Sequence, residues 1–332
     1  MKTIRVSIIG FGVVGRGVAR VIQQKGEYFK ENGMDVRVVA ISDLWGALTD
    51  ESGLDLPDVL KRAASKDIKA IDMTGVDMIK EVDHDIMIET TPTSIDTGEP
   101  GMSHMMAALN SNKDVVTSNK GPFALYYKKL INLARKNGVE LRFEATVGGA
   151  MPIINLVREN LAGNEILSIR GILNGTCNYV LTRMAEDGLP YEHVLSEAQE
   201  LGIAEADPTY DVDGIDTACK LVILANSIFN MGATYNDVDV VGIRDVTPEA
   251  LKLAYDAGYL VKLIGEVQEG VLNVAPRLVP KGHPLAIGGT LNVASIQTDL
   301  AGEITVTGKG AGSIEAASAI VSDLIGVVKN KL

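Results

Sequence analysis

A glycine-rich motif lies close to the amino end of the chain. Residues 10–15 have the spacing G-x-G-x-x-G, between a strand-like run, Ile4–Ile9, and a helix-like run, Val13–Gln24. The first glycine of such a motif permits a tight turn, the second lets the backbone approach a pyrophosphate, and the third lets helix pack on strand. The helix also directs free N–H groups and its positive dipole end at the phosphates. The motif therefore predicts NAD or NADP binding by Gly10, Phe11, Gly12, Val13, Val14 and Gly15.

An acidic residue follows the second predicted strand, Val36–Ile41. Asp43 lies 28 residues after Gly15, farther than the usual spacing of about 20, and we expect the polar stretch Lys25–Asp35 to absorb the difference as a surface loop. A carboxylate here accepts hydrogen bonds from both ribose hydroxyls of NAD and repels the 2′-phosphate of NADP. The alternative is that Asp43 only caps the next turn.

Two lysines lie in sequence contexts that suit an active site. Asp216 and Lys220 are i and i+4 on a predicted helix, Asp216–Ile228, that is apolar nearly all round and should be buried. A buried lysine needs partners and suits proton transfer in a cleft. Lys120 follows the predicted strand Asp114–Thr117, and ligands of open α/β sheets bind beyond the carboxyl ends of the strands. We therefore expect Lys120 at the nicotinamide end of the cofactor, the alternative being a solvated loop lysine.

The segment 205–216 is dense in carboxylates. Its spacing does not fit the calcium loop of an EF-hand, which closes with a Glu at the twelfth position. The segment is either a solvated acidic loop or, because it leads into the helix that carries Lys220, part of a charged pocket.

The elements that must position these groups alternate between strand and helix in the first third, which predicts a parallel sheet with right-handed crossovers. Longer helices and further strands follow residues 147–152. We therefore predict an α/β fold: a Rossmann-type dinucleotide-binding domain, residues 1–150; a second α/β domain, 151–307; and a C-terminal loop and helix, 308–332. The remaining predicted strands are Ile86–Glu89, Glu140–Phe143, Ile166–Ile172, Tyr259–Gln268, Val271–Val279 and Glu303–Thr307. The remaining predicted helices are Ser103–Ser111, Phe123–Asn137, Ile153–Leu161, Cys177–Asp187, Tyr191–Leu201 and Ser313–Val328.

The composition narrows the class of protein. The chain has 332 residues and a net charge of −12, which argues against a broad nucleic-acid-binding face. Two cysteines do not make a disulfide framework, and four scattered histidines show no zinc-ligand spacing. The apolar runs are too short to span a bilayer, and Arg5 interrupts the amino-terminal run, so neither a membrane span nor a signal peptide is expected. We expect a cytoplasmic protein with a small-molecule substrate.

The order of several motifs, taken together over essentially the whole chain, resembles the homoserine dehydrogenase family. That family interconverts homoserine and aspartate 4-semialdehyde with NAD or NADP, on the pathway to threonine, methionine and isoleucine. The resemblance rests on residues 10–15, 116–120 (VTSNK), 143–152 (FEATVGGAMP), 171–179 (GILNGTCNY), 197–202 (EAQELG), 205–220 and 308–312 (GKGAG).

The resemblance implies roles for particular residues. Lys220 corresponds to the catalytic lysine, and Lys120 to a second active-site lysine that touches cofactor and substrate. Glu205 and Asp216 are implied to hold the ammonium group of the substrate. The implied lining of the same pocket is Asp211, Asn174, Gly175 and Thr176. The implied cofactor contacts are Thr91, Ser118, Lys120, Gly202 and Gly310, besides residues 10–15 and Asp43.

The resemblance also implies an ion, an assembly and a domain content. Glu144 and the backbone carbonyls of Val147, Gly149 and Met151 resemble a site for sodium, since hard oxygen ligands suit such a cation; the alternative is a glycine-rich hinge. The family is dimeric through its second domain. The chain resembles a short form without a regulatory ACT domain.

Two other functions stay open at this stage. A semialdehyde dehydrogenase would act through a cysteine thioester, which requires a reactive cysteine with a base beside it. A regulatory protein would bind NAD without turnover, and the charged residues from Glu205 to Lys220 count against it.

Overall fold

The computed structural model describes residues 1–331. The chain forms two compact units. Unit 1 comprises Met1–Thr146 together with the segment that begins at Gly312, and unit 2 comprises Val147–Ala311. Each unit is built around one six-stranded sheet.

The sheet of unit 1 has the strand order β3-β2-β1-β4-β5-β6. All pairs are parallel except β2–β3, which is antiparallel. Because the order reverses between β1 and β4, the crevice beyond the carboxyl ends of these two strands is where ligands of doubly wound folds bind. The strands are β1 Lys2–Ile9, β2 Met34–Asp43, β3 Gly46–Thr49, β4 Ile86–Glu89, β5 Asp114–Thr117 and β6 Leu141–Arg142.

The helices of unit 1 cover the sheet. The central strand β1 buries Val6 and Ile8 completely, as expected for a parallel strand that is covered on both faces. The C-terminal helix, Ser313–Lys329, buries Ile320 and Leu324 in the same core and packs along the first helix. The other helices are α1 Val13–Gln24, α2 Gly26–Glu31, α3 Leu56–Ser65, α4 Gly75–Glu81, α5 Gly101–Asn110 and α6 Gly121–Asn137.

The sheet of unit 2 has the order β12-β11-β7-β9-β10-β8 and is mostly antiparallel, with β8–β10 as a parallel pair. Its strands are β7 Ile166–Ile172, β8 Val238–Val240, β9 Tyr259–Gln268, β10 Val271–Pro280, β11 Leu291–Thr298 and β12 Glu303–Lys309. Its helices are α7 Gly175–Asp187, α8 Tyr191–Glu200, α9 Thr209–Val212, α10 Ile215–Ile228 and α11 Pro248–Asp256. Helix α10 is buried from Asp216 to Asn226, as its all-round apolar sequence predicts.

The predicted α/β fold is confirmed, and several predicted elements have the observed bounds, α1, β4, β5, β7 and β9 among them. Two local predictions are wrong. The stretch Lys25–Asp35 is not a loop: it contains α2, because Phe29 is an apolar anchor buried in the core within an otherwise polar run. The predicted helix Ile153–Leu161 is instead mainly a π-helical turn, Leu156–Asn160, closed by a bond from the Leu161 N–H to the Leu156 carbonyl. Nothing in the sequence marks the wider turn.

Candidate active site

The three motif glycines differ in what surrounds them. Gly10 has φ +85°, and a Cβ atom there would lie 2.7 Å from the backbone of Thr90. A Cβ atom on Gly15 would overlap the carbonyl oxygen of Gly10. Gly12 is different, because a Cβ atom there would meet nothing within 4 Å. Gly10 and Gly15 are thus required by the fold, whereas the bare backbone at Gly12 borders open space.

Helix α1 begins directly after this turn with Val13. No side chain caps the helix, and its first turn contains no acidic residue. Val13 is 65% exposed, whereas Phe11 is buried in the core. The first N–H groups of α1 and its dipole therefore face solvent without competition from a side chain, as a bound pyrophosphate requires. The residues present fit a dinucleotide.

Asp43 ends β2 beside the glycine turn. Its Oδ2 accepts a hydrogen bond from the Phe11 N–H (2.6 Å), and its Oδ1 accepts one from the Leu44 N–H (2.7 Å). The carboxylate thus caps the following turn and also fixes the glycine turn. Since a carboxylate offers about four lone-pair sites, it retains the capacity to accept bonds from ribose hydroxyls.

The loops after β4 and β5 are joined by hydrogen bonds. Thr91 donates its N–H and its hydroxyl to the buried carboxylate of Glu89. Ser118 donates its N–H to the Glu89 carbonyl (3.3 Å). Asn119 donates its side-chain amide to the Thr91 carbonyl and hydroxyl (both 3.3 Å). These bonds bring the predicted contacts Thr91 and Ser118 together at one edge of the sheet. Lys120 follows directly, half-buried, and its carbonyl accepts the first bonds of α6.

Unit 2 contains a buried ion pair. The Lys220 ammonium group donates to Asp216 Oδ2 and to the Leu173 carbonyl oxygen, both at 2.7 Å. The side chains are 10% and 6% exposed, respectively. A lysine ammonium has three donors, and these two bonds, which hold Lys220 in place, use two of them.

Asn174 organises the carboxylates around this pair. Its side-chain NH₂ donates to Asp211 Oδ1 (2.7 Å) and to Asp216 Oδ2 (2.9 Å). Its Oδ1 accepts the Cys177 N–H (2.8 Å) as the N-cap of α7. All three bonds agree with one orientation of the amide. Lys220, Asp216, Asn174 and Asp211 therefore form one connected group, which we call the carboxylate–lysine cluster.

The remaining predicted substrate residues have different environments. Gly175 begins α7, where a Cβ atom would lie 2.7 Å from the Thr290 carbonyl oxygen. Thr176 donates its hydroxyl to the Ile203 carbonyl (3.1 Å). Glu205 is exposed, and the structure records no bond between its carboxylate and the cluster. Its role stays a prediction.

Two predicted cofactor glycines lie in unit 2. Gly202 is exposed, has φ +70° and closes the end of α8, its N–H donating to the Gln199 carbonyl (3.0 Å). Gly310 follows β12, and a Cβ atom there would overlap the side chain of the buried Asn292. Both positions have structural reasons to be glycine, and their contact with the cofactor stays a prediction.

Neither Cys177 nor Cys219 forms a disulfide, and both are buried. Burial raises the pKa of the Cys177 thiol well above its usual value, and the nearby carboxylate of Asp211 raises it further. A protonated, buried thiol is a poor nucleophile. Cys177 therefore does not suit a thioester mechanism.

The segment predicted to bind sodium is a tight turn. Gly149 has φ +58°, the Ala150 N–H donates to the Lys309 carbonyl (3.1 Å), and the Met151 N–H donates to that of Gly148 (2.9 Å). Glu144 is buried in a 3₁₀ turn of unit 1, where its N–H donates to the Asp323 carboxylate (2.9 Å). In residues 1–331, no group of three or more His, Cys, Asp or Glu side chains is arranged to hold a metal. That finding does not bear on a site built mainly from backbone carbonyls.

Several contributors to the site were missed from sequence. Gln199 donates its side-chain amide to the carbonyls of Glu205 and Ala206 (3.1 and 3.2 Å), which fixes the start of the acidic segment. The Leu173 carbonyl and the Glu89 carboxylate were also missed. Glu89 could have been identified from the sequence, because it is an acidic residue at the carboxyl end of an apolar parallel strand.

None of the helices among the described residues is both long enough and apolar enough to cross a membrane.

Two family profiles match the chain: "Homoserine dehydrogenase, NAD binding domain" over residues 10–144 and "Homoserine dehydrogenase" over residues 152–325.

Individual proteins agree with these profiles. The chain is 55% identical to homoserine dehydrogenase of Methanocaldococcus jannaschii over 324 residues, 96% of each chain. The crystal structure of a putative homoserine dehydrogenase from Archaeoglobus fulgidus is 47% identical with a TM-score of 0.93, and the match covers 98% of this chain and 99% of that one. A hyperthermophilic archaeal homoserine dehydrogenase in complex with NADPH is 31% identical with a TM-score of 0.87, and the match covers 99% and 98%. The chain therefore belongs to the homoserine dehydrogenase family, the NAD(P)-dependent oxidoreductases that interconvert homoserine and aspartate 4-semialdehyde.

Proposed function

We propose that the carboxylate–lysine cluster is where the chain binds homoserine and moves its proton, with Lys220 as the proton-transferring group. The observation that carries this proposal is the placement of the Lys220 amine. It is buried and oriented by Asp216 and Leu173, and these two bonds use two of its three donors. Such a group can act on a substrate oxygen.

The charge of the cluster supports a zwitterionic substrate. Within the cluster, two carboxylates, those of Asp211 and Asp216, stand against one ammonium group, that of Lys220, so acidic side chains outnumber basic ones by one. A substrate ammonium neutralises that excess in a partly desolvated place, where such pairs are stronger than in water. Glu205 adds a second acceptor when substrate binds.

The chemistry assigns each residue a task. Oxidation removes the hydroxyl proton of homoserine and a hydride from the same carbon. The neutral amine of Lys220 takes up the proton and becomes the ammonium form, which in the reverse direction donates that proton to the aldehyde oxygen as negative charge grows there. Lys120 supplies a second positive charge at the nicotinamide end. Asn174 fixes the positions of the two carboxylates that it bonds. NAD(P), when bound, supplies or accepts the hydride.

We propose that NAD is preferred over NADP. The support is Asp43, whose carboxylate already stands at the glycine turn and would repel a 2′-phosphate. The NADPH complex of the archaeal relative shows that the family fold also accepts the phosphorylated cofactor, so the preference depends on local charges.

We also propose that sodium binds to Glu144 and to the carbonyls of Val147, Gly149 and Met151. The support is the tight turn with Gly149 at φ +58°, whose carbonyl oxygens are the hard ligands that such a cation prefers. Sodium should then raise the melting temperature relative to a large organic cation at equal ionic strength. An identical melting temperature in both salts would refute the site.

We propose a cytoplasmic homodimer that assembles through unit 2. Two reduced cysteines suit a reducing compartment. Leu278 and Leu167 are 60% and 45% exposed on strands of the second sheet, as expected for a surface that a second copy covers. Light scattering should give twice the chain mass of 35.3 kDa, and a monomeric mass would refute the assembly.

A steady-state assay tests the central proposal. The purified chain is given L-homoserine with NAD or NADP, and the near-ultraviolet absorbance of the reduced cofactor is followed. We expect turnover that needs no phosphate or thiol acceptor. Cofactor binding without turnover would indicate a regulatory protein instead. Oxidation of aspartate 4-semialdehyde that depends on phosphate would indicate a thioester mechanism.

A further inference from the structure

A buried carboxylate stands at the carboxyl end of β4, outside the proposed catalytic groups. Glu89 is fully buried. In the described part of the chain, the basic side chain recorded within ion-pair distance of it is that of His104, whose Nδ1 lies 3.6 Å from Oε1. Within residues 1–331, no lysine or arginine lies at ion-pair distance from Glu89. A buried carboxylate without such a partner costs free energy unless donors or function compensate it.

Three donors converge on this carboxylate. Oε1 accepts the N–H of Thr91 (3.1 Å) and its hydroxyl, and the hydroxyl of Thr117 donates between Oε2 (3.2 Å) and the Glu89 carbonyl oxygen (3.0 Å). Asn119 donates to the Thr91 hydroxyl oxygen, so the hydrogen of that hydroxyl is directed at Glu89. At Oε1 the bonds therefore run toward Glu89 and end on it as an acceptor, as they do on a carboxylate.

The same carboxylate links the segments that line the predicted crevice. Thr90, next in sequence, donates its hydroxyl to the Gly10 carbonyl (2.6 Å). Thr117 and Asn119 begin the loop that leads to Lys120. Glu89 thus lies where the loops after β4 and β5 meet the glycine turn after β1, beside the point at which the strand order reverses.

We infer that the Glu89 carboxylate favours the oxidised form of the cofactor over the reduced form. The nicotinamide ring is positively charged when oxidised and neutral when reduced, so a nearby buried negative charge stabilises only the oxidised ring. Lys120, on the adjoining loop, acts with the opposite sign, and Glu89 offsets that repulsion. The inference rests on the proposed function, which places the nicotinamide end at Thr91, Ser118 and Lys120.

Equilibrium binding tests this inference without turnover. Dissociation constants for NAD and NADH are measured by calorimetry, with the fluorescence of the single tryptophan, Trp45, as a check. Glu89→Gln keeps the shape of the side chain, and its amide can donate to Thr117 while the Thr117 hydroxyl turns to the Glu89 carbonyl, 3.0 Å away. We expect the ratio of the NAD to the NADH dissociation constant to rise on the order of tenfold, as for unit charges roughly 10 Å apart at an effective dielectric constant of about 20.

Two further variants separate charge from structure. Asp114→Asn removes a buried carboxylate from the amino end of β5, where Asp114 accepts the Glu140 N–H, and it should leave the ratio unchanged. Glu89→Asp keeps the charge but withdraws the carboxylate from Thr91. It should weaken binding of both forms and keep their ratio within about twofold. If Glu89→Gln does not fold, Glu89→Asp tests the inference by itself, because a changed ratio of the NAD and NADH dissociation constants would then overturn it.

Equal weakening of both forms in Glu89→Gln would make Glu89 a purely structural residue, and an unchanged ratio would refute the inference outright. Failure of the proposed function looks different. The parent chain would then bind both cofactor forms and yet not oxidise homoserine, which the separate turnover assay detects.

Discussion

The glycine turn of unit 1 and the carboxylate–lysine cluster of unit 2 are built from different chemical groups. The turn consists of backbone: N–H groups at the start of α1, a left-handed glycine and an unsubstituted Cα at Gly12. The cluster consists of side chains, with Lys220, Asp216, Asn174 and Asp211 bonded to one another. Backbone suits a phosphate that only has to be held, whereas proton transfer requires a titratable side chain in a fixed place.

The difference also affects how each region responds to substitution. A change in the turn is expected to act mainly by adding bulk, because the proposed phosphate contacts are backbone groups. A change in the cluster leaves a buried charge without its partner, which is costly in itself. Activity and stability must therefore be measured together in unit 2.

The largest expected effect is at Lys220. Lys220→Ala should lower turnover by roughly two to four orders of magnitude, the usual contribution of a general acid–base group. The affinity for NAD(H) should change little, because the phosphate-binding turn belongs to unit 1. Steady-state kinetics and calorimetry check the two parts, and near-normal turnover would refute the assignment.

Lys262 provides a matched control for that experiment. It is a second buried lysine of unit 2, its ammonium donating to Asn178 Oδ1 (2.8 Å) and Thr182 Oγ1 (2.9 Å). Burial lowers its pKa to about 8. Lys262→Met should alter the melting temperature while turnover stays near that of the parent. A comparable loss of turnover in both variants would mean that any buried lysine of this unit matters only for stability.

The next effect concerns the substrate ammonium. Glu205→Gln should raise the KM for homoserine by about tenfold to a hundredfold, the value of one charge-assisted hydrogen bond. The KM for the cofactor should stay nearly constant. Asp207→Asn is the control, since Asp207 is an exposed neighbour that accepts the Thr209 N–H (3.1 Å). Equal changes in both KM values would indicate a folding defect.

The glycine turn predicts a contrast between two alanines. Gly12→Ala should weaken NAD binding by about tenfold and leave the melting temperature unchanged, since its Cβ meets no protein atom within 4 Å and only obstructs the pyrophosphate. Gly15→Ala should lower the melting temperature, because its Cβ overlaps the Gly10 carbonyl. Calorimetry and thermal unfolding measure both quantities. Identical changes in the two variants would refute the assignment of Gly15 to the fold and of Gly12 to cofactor binding.

The smallest effect is expected at Asp43. The parent should show a higher kcat/KM with NAD than with NADP, and Asp43→Ser should narrow the gap several-fold by removing the repulsion of the 2′-phosphate. Loss of the bond to the Phe11 N–H should weaken both cofactors alike, so only the ratio is diagnostic. A parent that prefers NADP, or a ratio that the substitution does not change, would place the specificity element elsewhere.

The sequence by itself determined the features that depend on residues close together in the chain. The glycine motif, the bounds of α1 and the shared face of Asp216 and Lys220 all follow from local spacing. The buried state of α10 follows from its apolar composition. Local spacing also missed α2, because a single buried phenylalanine outweighs the polar residues around it.

Only the tertiary structure decided which distant groups meet. Asn174 lies 37 and 42 residues from the carboxylates that it orients, and the Leu173 carbonyl lies 47 residues from Lys220. Glu89 and Thr117 are 28 residues apart and meet because β4 and β5 are neighbours in the sheet. Such bonds leave no periodic trace in a single sequence, since they are set by strand order and by how helices pack on the sheet.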